Sequence, residues 1–155
     1  MDRLNEFEKK IGYTFKNKDL LFEALTHSSY ANESKHRYRS NERVEFLGDS
    51  VLSIVVSEYL FETYTNYPEG ELSKTRATLV CEKTLAAFAR KIDLGEYIVF
   101  GKGELQNGGK ERPSILSDAF EAVIAAIYLD GGLEAARKHI MKFLPKDVKE
   151  AVAKA

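Results

Sequence analysis

The 155 residues carry 23 basic and 24 acidic side chains, 44% hydrophobic residues and 17 Phe plus Tyr, enough for one domain that folds on its own core without staples. A formal net charge of −1 gives no overall basic signal for nucleic acid, so any RNA has to be met by local patches. The longest apolar run, Ala122 to Leu129, falls far short of the roughly 20 residues that span a bilayer, and the single Cys81 excludes a disulfide or thiolate-metal framework within one chain. The expectation is a soluble cytoplasmic protein with no membrane partner and with Cys81 in its core.

In chain order, Leu4 to Ile11 predicts a short amphipathic helix stopped by Gly12, and Asn17 caps a second from Lys18 to His27 with Leu20, Leu21, Ala24 and Leu25 inward. Thr26-His27-Ser28-Ser29-Tyr30 ends that helix. It lacks the Gly-x-Ser-x-Gly elbow of a serine nucleophile, so His27 reads as packed and hydrogen-bonded. Glu33 to Ser40 reads as a basic loop, with Lys35, His36, Arg37 and Arg39 able to meet phosphate.

From Asn41 the longest helix is expected to run to about Thr65 as the central, largely buried element. At roughly 100° per residue, Glu42, Glu45 and Asp49 fall within about 60° on one stripe, opposite an apolar face of Val44, Leu47, Val51 and Ile54. Stacked like charges repel unless something positive joins them. Phe46 projects about 40° from Glu42, off the apolar face, and is covered either by a neighbouring helix or by a partner subunit.

Pro68 and Gly70 predict a turn, followed by helices Glu71 to Val80 and Glu82 to Ile92; Lys74 and Arg76 are candidate phosphate contacts. Glu96 to Phe100 is a strand-like turn too short for a sheet. Gly101 to Arg112 holds four glycines with Lys102, Lys110 and Arg112, but the Gly-x-x-x-x-Gly-Lys-Ser/Thr order fails because Gly109 stands where the Lys belongs. This leaves a mobile basic loop rather than a nucleotide cradle. Pro113 opens a helix that Gly131-Gly132 stop, Leu133 to Leu144 forms the last helix, and Lys146 to Ala155 is a helix end or linker stub.

The Pro113 helix carries Asp118 and Glu121 on one face with Ala122 and Ala125, whose small side chains let another helix come close, so the two acidic stripes can meet. Glu45, Asp49, Asp118 and Glu121, with Glu42 near, form an all-oxygen donor set. Hard oxygen ligands select Mg²⁺, for which Mn²⁺ can substitute, over zinc or iron. A di-iron site needs Glu-x-x-His, and here Ile124 and Gly48 stand where the histidines belong. Carboxylates around Mg²⁺ suit phosphate-ester hydrolysis.

Asn41-Glu42-Arg43-Val44-Glu45-Phe46-Leu47-Gly48-Asp49-Ser50-Val51-Leu52 resembles the signature of the ribonuclease III catalytic domain, and Asp118-Ala119-Phe120-Glu121-Ala122 its second acidic motif. Leu25 to Tyr30, Glu69-Gly70-Glu71-Leu72-Ser73 and Gly131-Gly132 extend the likeness over residues 5 to 145. The resemblance implies an all-α, homodimeric, Mg²⁺-dependent endoribonuclease of bacterial type. It would cut double-stranded RNA to 5′-phosphate and 3′-hydroxyl ends with short 3′ overhangs, in rRNA and mRNA processing, with no small-molecule cofactor. It makes Glu45, Asp49, Asp118 and Glu121 the catalytic metal ligands, Glu42 and Glu69 auxiliary acids, and Phe46 the residue that docks into the partner. Residues 1–145 would be the catalytic domain and 146–155 a tail. On this reading the double-stranded RNA-binding domain usual in bacterial members would be absent, as in an excised domain or a short form, which would leave duplex contacts to Arg37, Arg39, Lys74, Arg76, Lys102, Lys110 and Arg112. The rivals are a non-catalytic RNA-binding relative, which would be expected to lose carboxylates that here all remain, and an all-α nucleotide pyrophosphohydrolase.

Overall fold

Residues 2–154 are described by a computed structural model, and they form helices joined by short connections, with no strand longer than a single bridge. The first two helices follow their caps. In α1 (Arg3–Ile11) the Asp2 carboxylate accepts the Leu4 N–H, and in α2 (Lys18–Leu25) the Asn17 side chain accepts the Asp19 N–H. Then α2 stops two residues before its predicted end. Thr26 turns extended, and His27 caps a further helix, α3 (Ser28–Glu33), which the sequence pattern did not announce.

The principal packing is α4 (Glu42–Thr63) against α8 (Pro113–Met141). The more deeply buried partner is α8, not α4: Ala119, Phe120, Ala122 and Val123 to Ile127 are at most 1% exposed, so this stretch is enclosed on every side. On α4, Val51, Leu52, Val55, Val56 and Leu60 are buried, but Ile54, expected on the core face, is 56% exposed. The core therefore grips α4 on one flank, and a stripe of Phe46, Ile54 and Phe61 faces outward.

Gly132 (φ 87°) breaks α8 where the sequence places a stop, since its left-handed backbone is one that side-chain-bearing residues rarely adopt. The chain then resumes helix and buries Ala136, His139 and Ile140. Between the two main helices, α5 (Glu69–Val80) and α6 (Glu82–Lys91) meet at Cys81. That residue is extended and exposed, so it is a corner of the fold and not part of its core.

Gly101 to Arg112 is ordered into α7 (Lys102–Gln106) and a 3-10 turn over Gly109–Glu111, in place of the expected loop. It is anchored: the Glu33 carboxylate accepts the Lys102 N–H at 2.6 Å, and Ser29 Oγ accepts the Gly101 N–H at 2.9 Å. At the end of the chain, α9 (Val148–Lys154) buries Val148, whose N–H donates to Tyr64 Oη at 3.2 Å.

Candidate active site

The acidic site exists because one glycine lets two backbones touch. A Cβ placed on Gly48 would lie 1.8 Å from the Glu121 carbonyl oxygen and 2.6 Å from its carbonyl carbon. With hydrogen alone at that position, the first two turns of α4 press on α8 beside Glu121. Carboxylate oxygens of Glu45, Asp118 and Glu121 then lie within 4.8 Å of one another. Asp49 stands outside this trio, but its carboxylate hydrogen-bonds that of Glu121.

Their burial differs, and the charges respond to it. Glu121 is only 6% exposed, Glu45 is half-buried, and Asp49 and Asp118 reach the surface. Burial, then the facing carboxylates of Asp49, Glu45 and Asp118, push the Glu121 carboxyl up to about 9. At neutral pH it holds a proton, which the hydrogen bond to Asp49 uses. Burial also raises Glu45, helped by Asp118, Asp49 and Glu42 and opposed by its bond to Glu121. For Asp118 burial raises the carboxyl, Glu82 and Glu42 raise it further, and His27 counters them. Such a set is held together by protons or by a cation, and its all-oxygen donors fit a hard divalent ion.

The auxiliary acids divide. Glu42 is exposed, accepts from Ser40 Oγ at 2.9 Å, and lies near enough to bear on Glu45 and Asp118. Glu69 opens α5 in a different place, lining a groove with Ile54, Phe61, Leu72 and Arg76, and accepts from Ser73 Oγ at 2.6 Å. Sequence reasoning missed Glu82 at the start of α6, whose charge bears on Asp118. No spacing rule links 82 to 118, because only the fold brings α6 beside α8.

Phe46 is 77% exposed and borders a groove of about 570 Å³ with Glu42, Arg43, Leu47 and Leu129. Of its two expected covers, a neighbouring helix of the same chain is not found among the described residues. The basic candidates are dispersed. Arg37, Arg39, Lys74 and Lys102 are exposed, Lys110 pairs with Glu96 at 3.1 Å, and Arg112 pairs with Glu104 at 3.5 Å. Arg76 donates to Ser57 Oγ at 2.9 Å beside the Glu69 groove. Among the described residues no helix is long and apolar enough to cross a membrane.

A family profile described as ribonuclease-III-like matches residues 17–148. The chain is 56% identical over 149 residues to a protein named ribonuclease 3 from Caldanaerobacter subterraneus subsp. tengcongensis, covering 96% of this chain and 65% of that one. It is 54% identical to ribonuclease 3 of Clostridium tetani, covering 96% and 63%. The chain thus spans somewhat under two thirds of the length of these curated relatives. Two solved structures of the nuclease domain of ribonuclease III from Campylobacter jejuni superpose well. One, described for structural flexibility in a region involved in dimer formation, gives a TM-score of 0.85 at 48% identity over 90% of this chain and 94% of that one. The other gives 0.84 at 46% identity over 97% of both.

Proposed function

Because the chain belongs to the ribonuclease-III-like family, we propose that it is the endonuclease unit of a ribonuclease III that hydrolyses phosphodiester bonds of double-stranded RNA at the Glu45, Asp49, Asp118 and Glu121 site. The carrying observation is the convergence of both acidic helix stretches on one half-buried cluster through the contact at Gly48. An RNA duplex is long, anionic and uniform in shape, so recognition rests on backbone contacts and not on base edges.

Glu45, Asp118 and Glu121 would hold a Mg²⁺ ion, with Asp49 completing the acidic set and Mn²⁺ able to substitute. When bound, the ion supplies a water acidic enough to attack phosphorus near neutral pH and offsets charge on the phosphate oxygens. The protein's part is to present the oxygens. Glu121 would give up the proton it shares with Asp49 if a cation stood between the carboxylates, and both oxygen groups would then face that cation. Glu42 and Glu82 keep the surrounding potential negative, so the site prefers a cation to a bare phosphate.

Phe46, with Ile54 and Phe61 along the same side of α4, forms the face on which a second copy of the chain docks. An isologous pair would carry two acid sites about one twofold axis, each cutting one strand, and the Glu69 groove on that side would be completed by the partner. The products are 5′-phosphate and 3′-hydroxyl ends with short 3′ overhangs. The reaction serves rRNA and mRNA processing in the cytoplasm, and residues 1–145 form its catalytic domain.

The test offers the purified chain a long perfect RNA duplex, a single strand of the same length and a nucleoside triphosphate, at low salt, with Mg²⁺ and with chelator. Metal-dependent cutting of the duplex alone, to short pieces that accept ligation at a 3′-hydroxyl, supports the reading. Hydrolysis of the triphosphate, or duplex binding without cutting under Mg²⁺ and Mn²⁺, refutes it.

A further inference from the structure

One histidine beside the acidic site has no part in the chemistry above. His27 caps α3: its Nδ1 accepts the Ser29 N–H at 3.1 Å and lies 2.8 Å from Ser29 Oγ. The Ser29 hydroxyl itself accepts the Gly101 N–H at 2.9 Å, which leaves its proton free to point at Nδ1. With Nδ1 committed as an acceptor, the ring proton resides on Nε2. Among the described residues Nε2 has no hydrogen-bond partner.

The ring is also held in place. The His27 N–H donates to the Val99 carbonyl at 3.0 Å, and the Phe100 ring lies 5.3 Å away. The Thr26 carbonyl accepts the Asn41 N–H at 2.8 Å, and Asn41 Nδ2 donates to the Ala24 carbonyl at 3.1 Å. Asn41 is the cap of α4, and its carbonyl accepts the Glu45 N–H at 2.8 Å. His27 is therefore built onto the start of the acidic helix. The charged groups acting on the imidazole are Glu104, Asp118, Glu42 and Arg112, two of them acids that bear on the cluster itself. Burial lowers its basicity against the pull of Glu104, Asp118 and Glu42, in keeping with a ring whose Nδ1 accepts the Ser29 N–H. A neutral donor can bind an anionic oxygen without competing with a metal ion for the carboxylates, as a lysine in that place would.

Resting on the endonuclease reading, we propose that His27 is a substrate-contacting residue: its Nε2–H donates to a non-bridging phosphate oxygen of the RNA strand beside Asp118 and Glu42, while Ser29 fixes the tautomer. A purely structural cap makes a different demand on replacements. Asn offers an acceptor where Nδ1 stands and is a strong cap, but brings no donor to the Nε2 position; Gln carries an N–H to that position but caps poorly.

The experiment compares wild type, His27→Asn, His27→Gln and His27→Ala by melting temperature and by single-turnover cleavage of a perfect RNA duplex with Mg²⁺. Stability should rank Asn near wild type, with Gln and Ala below. Cleavage should rank oppositely, with Gln within a few-fold of wild type and Asn and Ala down about tenfold to a hundredfold, as expected for a lost hydrogen bond to a charged group. Activity that follows stability, or three variants that all cut like wild type, overturns the proposal. If the Asn variant fails to fold, Gln against Ala still decides, because equal cleavage by those two overturns it. A wild type that binds metal but cuts no duplex refutes the endonuclease reading and takes this assignment with it.

Discussion

Replacing Gly48 by alanine adds one methyl group at the tightest point between α4 and α8. Its carbon would start 1.8 Å from the Glu121 carbonyl oxygen, where ordinary contact begins at 3.4 Å, so the helices must open by about 1.6 Å along that line. The obstacle is backbone, which cannot rotate away as a side chain can. Overpacking of this kind costs roughly 1–3 kcal/mol, partly offset by the gain of up to about 1 kcal/mol that alanine brings to a helix interior. For a chain of this size each lost kcal/mol lowers the midpoint by roughly 2–4 °C, so a fall of a few degrees is expected. Activity should suffer more than stability. The opening separates Glu45 and Asp49 from Asp118 and Glu121, and a misplacement of about 1 Å can cost about a hundredfold. The assay is a thermal melt with and without Mg²⁺, beside duplex cleavage across a Mg²⁺ series, with Gly70→Ala as control because nothing lies within 4 Å of a Cβ there. The control should be neutral or slightly stabilising. A Gly48→Ala protein that melts with wild type and needs no more Mg²⁺ would refute the close-contact account of the site.

Glu121 has a folded-state value of about 9 against an ordinary 4.5, so the folded metal-free protein takes up a proton that the unfolded chain releases. Its contribution is complete below pH 4.5 and is lost as pH rises toward about 9, at roughly 1.4 kcal/mol per pH unit in between. Glu121→Gln should therefore melt higher than wild type without metal at pH 8, lose most stabilisation by Mg²⁺, and cut nothing; a pH-independent difference in melting temperature would contradict this. His139 is 3% exposed between Phe120 and Phe143, and burial lowers it to about 3 from 6.5. The stability that its neutral ring supports is present above pH 6.5 and lost as pH falls from there toward about 3, so His139→Leu should flatten the acid limb of a pH–stability curve. Phe46→Asp should leave the fold intact and shift the chain to a monomer by analytical ultracentrifugation, because the ring is already exposed in one subunit; an unchanged sedimentation coefficient would remove Phe46 from the interface.

Much of the fold was legible because the helix punctuation is local. Gly12, Asn17, Pro113 and Gly132 act on their own backbone neighbours, and each stands at the boundary its chemistry predicts. Residues depending on distant partners were not legible. Ile54 has the spacing of a core residue, yet it lies on the open side of α4, in the groove that this helix forms with the start of α5. Cys81 follows an apolar pair but marks the corner between α5 and α6. Gly101 to Arg112 looks like a loop by composition, whereas Glu33 and Ser29 fix its start from 69 and 72 residues away. The same division holds at the site. The two acidic stripes that carry Glu45, Asp49, Asp118 and Glu121 are readable from helical spacing, but Glu82 and the committed Nδ1 of His27 depend on contacts that no periodicity encodes.

The most direct measurement of the central claim is single-turnover cleavage of a labelled, perfect RNA duplex at low salt by the wild-type chain and by Glu121→Ala, each with Mg²⁺ and with chelator. Duplex binding is followed in parallel by gel shift. The account predicts metal-dependent cutting by wild type, none by the variant, and equal duplex binding by both. Cutting by the variant at the wild-type rate would contradict it, as would a folded wild type that binds the duplex and leaves it whole.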